Sequence, residues 1–239
     1  MGLLLLTMNG PSVFLKMQHI KDILVKGSEE IGVTLTPQAL ESYLFYMKEL
    51  IKWNRRINLT ALRGDREIAV NHFLDSLTVA PYLQGVKKIM DIGTGAGFPG
   101  LPLKVLYPSI ELLLMESSQK KIFFLRHIVR GLKLEGVEII HGRAQQKEII
   151  EKYARHLDLV FSRALADLPT FLELAIPYTK KGGCIVGMRG KRGEKELQDL
   201  DWGRLGLRLI ATKKFTLPFI QTVRFLFLFQ LSETPCAAD

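Results

Sequence analysis

The sequence predicts an α/β fold, a doubly wound, mostly parallel sheet of seven strands behind an N-terminal helical extension. Three observations carry this expectation. From Val86 onward, short apolar runs alternate with helical patterns, the signature of βαβ units. The first run feeds straight into a glycine-rich turn, Asp91-Ile-Gly-Thr-Gly-Ala-Gly-Phe-Pro-Gly100. Before Gly85 the apolar residues recur at helical spacing, with no strand alternation.

In the first part, Leu40, Tyr43, Leu44, Met47, Leu50 and Ile51 mark one helix, with Thr36-Pro37 as its cap and first-turn proline. After Asn58-Leu59-Thr60 a further helix carries His72, Asp75 and Ser76. Strands are expected near 86–91, 110–115, 137–140, 157–161, 183–188, 206–215 and 222–230. Helices are expected near 99–106, 118–131, 144–155, 167–179 and 193–200. No helical run separates the last two strands, so they should pair antiparallel. The chain then divides into a flexible N-terminus at 1–14, a helical region at 15–85, a sheet domain at 86–231 and a tail at 232–239.

With 47% hydrophobic and 24% charged residues, the 239-residue chain has a globular composition and can bury a full core. Cys184, in an apolar run, and Cys236, in the tail, give no disulfide framework. His19, His72, His127, His141 and His156 show no ligand spacing, so no metal is expected. The apolar runs at Met1–Met8 and Phe225–Leu231 are too short for a bilayer, and a cytoplasmic protein is expected. The net charge of +9 favours a polyanionic partner, provided the charges cluster.

Gly95-x-Gly97-x-x-Gly100 satisfies the dinucleotide fingerprint literally. Asp91 at the strand end points elsewhere, because it would repel a pyrophosphate and attract the cationic amino group of S-adenosylmethionine. Glu116 closes the second apolar run at the spacing expected of a carboxylate that grips ribose hydroxyls. A crossover that needs glycines for geometry alone is the competing reading, and a carboxylate at both strand ends argues against it. Phe98 fits cofactor contact and simple packing equally.

Ligands of open α/β sheets bind beyond the carboxyl ends of the strands. The segments there bring Lys120, Lys121, Arg143, Arg163, Arg189, Lys191 and Arg192 to one rim. Arg163 follows the central strand directly, where a ligand-facing role is natural. Lys120 and Lys121 fit a solvated helix face as readily. His72 and Asp75 fit either a local cap or a substrate-side wall. No Asn-Pro-Pro-Tyr-like turn follows the fourth strand and no Pro-Cys pair is present, which counts against adenine N6 and pyrimidine-ring chemistry. An acceptor whose lone pair is already nucleophilic, such as a guanine ring nitrogen, needs alignment and no general base.

Over roughly residues 15–200 the chain resembles the bacterial family that methylates guanine N7 in small-subunit (16S) ribosomal RNA, long called glucose-inhibited division protein B. The resemblance rests on Asn58-Leu59-Thr60, His72-Phe-Leu-Asp75-Ser76-Leu77, the glycine turn with its Phe98-Pro99-Gly100 ending, Lys120-Lys121 with Phe124-Leu125, Arg143-Ala144 and Ser162-Arg163-Ala164. It implies a Rossmann-like methyltransferase fold with S-adenosylmethionine held by Asp91, Gly93, Gly95, Gly97, Phe98, Glu116, Ala144, Gln145 and Arg163. On this reading Arg163, Arg143 and Arg189 are expected to hold phosphate or the guanine edge while N7 stays free to attack, with RNA contacts through Arg55, Arg56, Lys120, Lys121, Lys191 and Arg192. The implied partner is 16S ribosomal RNA or the small ribosomal subunit, met by a monomer. The chain departs from the family at Gln145, where the family has glutamate, at Arg189, where it has lysine, and in lacking a basic Tyr-Pro-Arg end. Two other functions compete: an NAD-dependent oxidoreductase, on the glycine pattern, and a non-catalytic RNA-binding protein with a degenerate methyltransferase fold.

Overall fold

The computed structural model describes residues 11–163 and 165–232. Of the expected flexible N-terminus, residues 1–10 lie outside the described residues, as do Ala164 and the tail from 233 onward, with Cys236. The strands are β1 (Lys88–Ile92), β2 (Glu111–Glu116), β3 (Val137–His141), β4 (Leu157–Arg163), β5 (Thr179–Arg189), β6 (Leu207–Thr216) and β7 (Val223–Leu231). They form one seven-stranded sheet in the order β3-β2-β1-β4-β5-β7-β6. The pairs among β1 to β5 are parallel, whereas β7 runs antiparallel to both β5 and β6. That antiparallel return separates the sheet from the all-parallel order of a dinucleotide-binding domain, the arrangement an oxidoreductase reading requires.

Strand alternation divides the interior into two cores. β1 sends Ile89 to one face and Met90 and Ile92 to the other. The first face is covered by α1 (Pro11–Glu30), α2 (Pro37–Ile57), α5 (Gly100–Leu106) and α6 (Gln119–Gly131), joined there by a short helical series. In that series α3 (Asp65–Ile68) passes into a π-helical turn, Ala69–Leu74, and then into α4 (Asp75–Leu77). On the second face lie α7 (Lys147–Tyr153), α8 (Leu168–Ala175) and, beside it, α9 (Gly193–Gln198). Among the described residues no helix is long and apolar enough to cross a membrane.

Local sequence explains how α2 is placed. Thr36 caps it by accepting from Ala39 N at 3.1 Å, and Pro37 fills its first position. It stops at Asn58, whose φ of 49° is left-handed. Asn54 then ties down the exit, donating to Thr60 O at 3.0 Å and accepting from Thr60 N at 2.9 Å. Arg55 and Arg56 occupy the last turn, where their charge complements the helix dipole.

Most expected elements differ from the observed ones only at their ends. β5 is the largest exception, beginning at Thr179. The polar Thr179-Lys-Lys-Gly-Gly stretch gives no hydrophobic signal, and it enters the sheet through a register shift between Leu157 and Leu159 of β4. Phe73 locks the helical layer onto the sheet domain, with ring centroids 5.1 Å from Tyr43, 5.3 Å from Tyr46 and 5.2 Å from Phe98. The substitution Phe73→Ala is expected to cost about 3–5 kcal/mol of unfolding free energy. Urea denaturation measures this; a loss under ~1 kcal/mol would show that the layer is not cooperative with the sheet.

Candidate active site

The chain turns back between β1 and β4, and the crevice beyond their carboxyl ends holds the glycine turn. Asp91 is fully buried there. Its Oδ2 accepts from Thr94 Oγ1 at 2.7 Å and from Gly100 N, at the start of α5, at 2.9 Å. Its Oδ1 has no partner, and burial pushes its carboxyl up to about 7 against the Thr94 and Gly100 hydrogen bonds. Glu116 grips the turn from β2, accepting from Gly95 N at 3.0 Å and from Ser118 N at 2.8 Å. Tyr46 holds the third side, donating from its hydroxyl to Ala96 O.

Two glycines are required by close approach. A Cβ on Gly97, whose φ is 97°, would lie 2.5 Å from the Tyr46 hydroxyl. One on Gly100 would lie 2.7 Å from Leu114 Cδ2 and 3.0 Å from Asp91 Oδ2. Phe98 lies between Tyr46, at 5.0 Å and 5° between planes, and His72, at 4.5 Å and 15°. Its ring is therefore packed into the helical layer, as one of the two readings open for this residue expects.

Two cavities flank this turn and share no lining residue. The first, of about 500 Å³, is lined by Gly93, Met115, Glu116, Lys121, Arg143, Ala144, Gln145 and Leu165, among others. The size suits a nucleoside-sized ligand. The second, of about 440 Å³, is lined by Asn71, His72, Asp75, Arg163, Met188, Arg189, Gly190 and Arg224, with Leu62 at its edge.

Arg163, expected both to hold S-adenosylmethionine and to meet the base, lines the second cavity and not the one that Glu116 lines. Its guanidinium donates to Asn71 O at 2.6 Å, Asp75 Oδ2 at 3.3 Å and His72 Nδ1 at 2.8 Å, and it lies 5.5 Å from the Phe98 ring. Burial first, and then the Arg163 charge, pushes His72 down to about 3. The imidazole is therefore neutral, accepts at Nδ1, and donates from Nε2 to Thr60 Oγ1 at 2.8 Å. The π-helical turn contributes too, because Asp75 N bonds Val70 O and His72 O and passes over Asn71 O, the carbonyl that Arg163 uses.

The remaining predicted residues divide by their surroundings. Lys121 stands 3.9 Å from Glu116, a screening partner for that carboxylate at the cavity wall. Arg189, expected beside a reacting base, is buried: it donates to Met188 O at 2.9 Å and Asp167 O at 3.3 Å, pairs with Glu196 at 3.3 Å and covers Phe171 at 5.2 Å. That corrects its role to a strut between β5, α8 and α9, since a strand-end position fixes the Cα and leaves the long side chain to find its own acceptors. Lys120, Lys191 and Arg192 are exposed, as are Arg55 and Arg56, and Arg55 also lines a separate groove with Met47 and Ile51. The sequence reading did not include Arg224, although it is the lone charge in β7 and thereby carried a signal.

An acid whose pKa rises on folding holds its proton more tightly in the folded state, so it removes stability as pH climbs from its ordinary 3.8 towards 7. His72 contributes the opposite slope below 6.5, so the test is a comparison. Asp91→Asn keeps the acceptor for Gly100 and is expected to flatten the decline in melting temperature between pH 5 and 8 in cofactor-free protein. Equal slopes for both proteins would sink the assignment.

A family model for rRNA small subunit methyltransferase G matches residues 39–208. The Ribosomal RNA small subunit methyltransferase G of Geobacter metallireducens is 39% identical over 204 residues, covering 84% of this chain and 92% of that protein. The protein of the same name from Caldanaerobacter subterraneus is 40% identical over 179 residues, 74% of this chain and 75% of that one. Among solved structures, the putative methyltransferase yhhF from Escherichia coli aligns with a TM-score of 0.51 at 15% identity, over 67% of this chain and 86% of that one. A SAM dependent methyltransferase from Aquifex aeolicus aligns with a TM-score of 0.51 at 18% identity, over 66% and 89%. The solved structures share the fold; the sequence matches go further, and by them this chain belongs to the rRNA small subunit methyltransferase G (GidB) family.

Proposed function

We propose that this chain transfers a methyl group from S-adenosylmethionine to N7 of a guanine in 16S ribosomal RNA, acting as a cytoplasmic monomer on that RNA or on the small ribosomal subunit. The observation that carries the reading is the pairing of a carboxylate-gripped glycine turn with a separate arginine-walled cavity across it. Family membership supplies the substrate class.

The residues present fit the cofactor. Asp91 keeps an unpartnered buried oxygen, so the head of the turn carries negative field that a cationic ammonium and sulfonium group would relieve. Glu116 uses one lone pair on each oxygen for the turn and has others for ribose hydroxyls. Gly93 lines the same cavity as Ala144 and Gln145, and so does Arg143, which was expected on the base side; Gly95, Gly97 and the Phe98 backbone complete the turn beside it. Gln145 is exposed, so the family glutamate is replaced where a backbone contact survives the change. The cofactor, when bound, supplies an electrophilic methyl group on sulfur.

Guanine N7 attacks with a ring lone pair, and no proton has to leave. The chain therefore needs no general base, and its contribution is alignment and exclusion of water. Arg163, oriented by Asn71, His72 and Asp75 and set against Phe98, stands where it can fix a base or its backbone relative to the turn. We assign residues 86–231 as the transfer domain and residues 15–85 as the helical region that braces it, with Arg55, Arg56, Lys120, Lys191 and Arg192 as exposed RNA contacts and Lys121 at the cavity wall.

Glu116→Ala is expected to weaken S-adenosylmethionine binding about tenfold to a hundredfold, read by calorimetry. Arg163→Lys, which loses the fork, should lower methyl incorporation into 16S RNA from a strain lacking the gene while leaving cofactor affinity within about threefold. Methyl groups mapped to any atom other than guanine N7 would overturn the site of transfer, and absence of both cofactor binding and transfer would favour the non-catalytic RNA-binding alternative.

A further inference from the structure

Asp75 is buried, with 2% of its side chain exposed, yet both of its oxygens carry an arginine. Arg163 NH1 lies 3.3 Å from Oδ2, and Arg224 Nε, from the opposite side, lies 3.2 Å from Oδ1. Asn71 ties the two together, since its carbonyl accepts from Arg163 and its side-chain oxygen accepts from Arg224 at 3.2 Å. Arg163 comes from the end of β4 and Arg224 from the start of β7, which lie on either side of β5, so the pairing depends on the antiparallel return of the last strand.

One carboxylate faces two guanidinium groups here, so a positive charge is left over. His72 does not alter that balance because its imidazole is neutral. Glu196 does not alter it either, being matched by Arg189. Each guanidinium has five N–H donors, and the bonds to Asp75, Asn71, His72 and Val223 leave some on both arginines without an acceptor among the described residues. Both side chains keep a face open to the second cavity, at 18% and 20% exposure. A fixed carboxylate that orients two guanidinium forks and leaves their outer donors free is a recognition element for a tetrahedral oxyanion.

We propose that Arg163 and Arg224, spread across Asp75, form a seat for a phosphate group of the RNA strand beside the target base. The seat deepens the RNA reading above and rests on it. It lies in the cavity opposite Glu116, so it holds the nucleic acid and leaves the cofactor to the first cavity. Arg163 and Arg224 are charged partners of one site: the first reaches both the strand and the Phe98 edge of the turn, the second anchors the strand alone.

The test uses the full chain and 16S ribosomal RNA from a strain lacking the gene, with RNA affinity measured across a salt series. Arg224→Gln is expected to weaken RNA binding roughly tenfold and to reduce the slope of log K against log salt by about 0.7–0.9, the loss of one phosphate contact. S-adenosylmethionine affinity should stay within about twofold. Arg224→Lys keeps the charge, so it should retain the salt slope and show a raised RNA KM with kcat little changed. A melting temperature of Arg224→Gln near that of the wild type excludes unfolding as the cause; if that variant unfolds, the Arg224→Lys KM and slope decide. An unchanged salt slope in Arg224→Gln, or a loss of cofactor affinity with RNA affinity intact, overturns the seat while wild-type methyl transfer still upholds the function. Wild-type protein that neither binds RNA nor transfers a methyl group overturns both.

Discussion

The stack of Tyr46, Phe98 and His72 is the interaction on which the rest of the site depends. Phe98 belongs to the glycine turn, Tyr46 to the helical layer and His72 to the π-helical turn, so one set of ring contacts fixes three chain segments against each other. Aromatic pairs of this kind contribute about 0.5–1.5 kcal/mol each beyond their area burial, and here they also set position. Tyr46 adds a donor to the turn backbone, and His72 adds an acceptor for Arg163. A displacement of Phe98 would therefore be felt on the carboxylate side and on the arginine side of the crevice at once.

Position, more than stability, accounts for the buried charges. A buried ion pair recovers little of its desolvation cost, whereas removing one partner leaves a charge stranded at a cost of about 3–5 kcal/mol. Asp75 consequently reads as a device for holding Arg163 and Arg224 in one geometry. Asp91 follows the same logic from the other sign: its Oδ2 clamps the start of α5, while burial opposes the ionisation of its carboxyl, an opposition that a cation bound at the turn would lessen.

The sheet was legible because its signal is local. Each apolar run between helical patterns reports one buried strand, and the absence of a helix between β6 and β7 reports their antiparallel pairing. Asp91, Glu116 and the glycines were legible for the same reason, as they sit at fixed offsets from strands. Thr179–Gly183 was not, since β5 takes it in through a register shift and without hydrophobic alternation. The arginines were the hardest to read. A strand-end address placed Arg163 and Arg189 on one rim, but their guanidinium groups sit at the far ends of long stems, and only the fold shows that Glu196 and Asp167 capture one while Asp75 and His72 orient the other.

The π-helical turn explains why that orientation takes this particular form. In a regular α-helix the carbonyl of residue 71 would accept from the amide of residue 75. Here that amide reaches Val70 O and His72 O instead, and Asn71 O accepts from Arg163 at 2.6 Å. The same widened turn carries His72 to Nδ1 contact with Arg163 and leads into Asp75 with its Oδ2 contact, so three acceptors within residues 71–75 converge on a single guanidinium. A wide helical turn gives up regular backbone geometry, and such turns persist where a function uses them. No glycine or proline lies within Ala69–Leu74 to mark the widening in the local sequence, and what the widened turn supplies is a tertiary contact, the freed Asn71 carbonyl that accepts from Arg163.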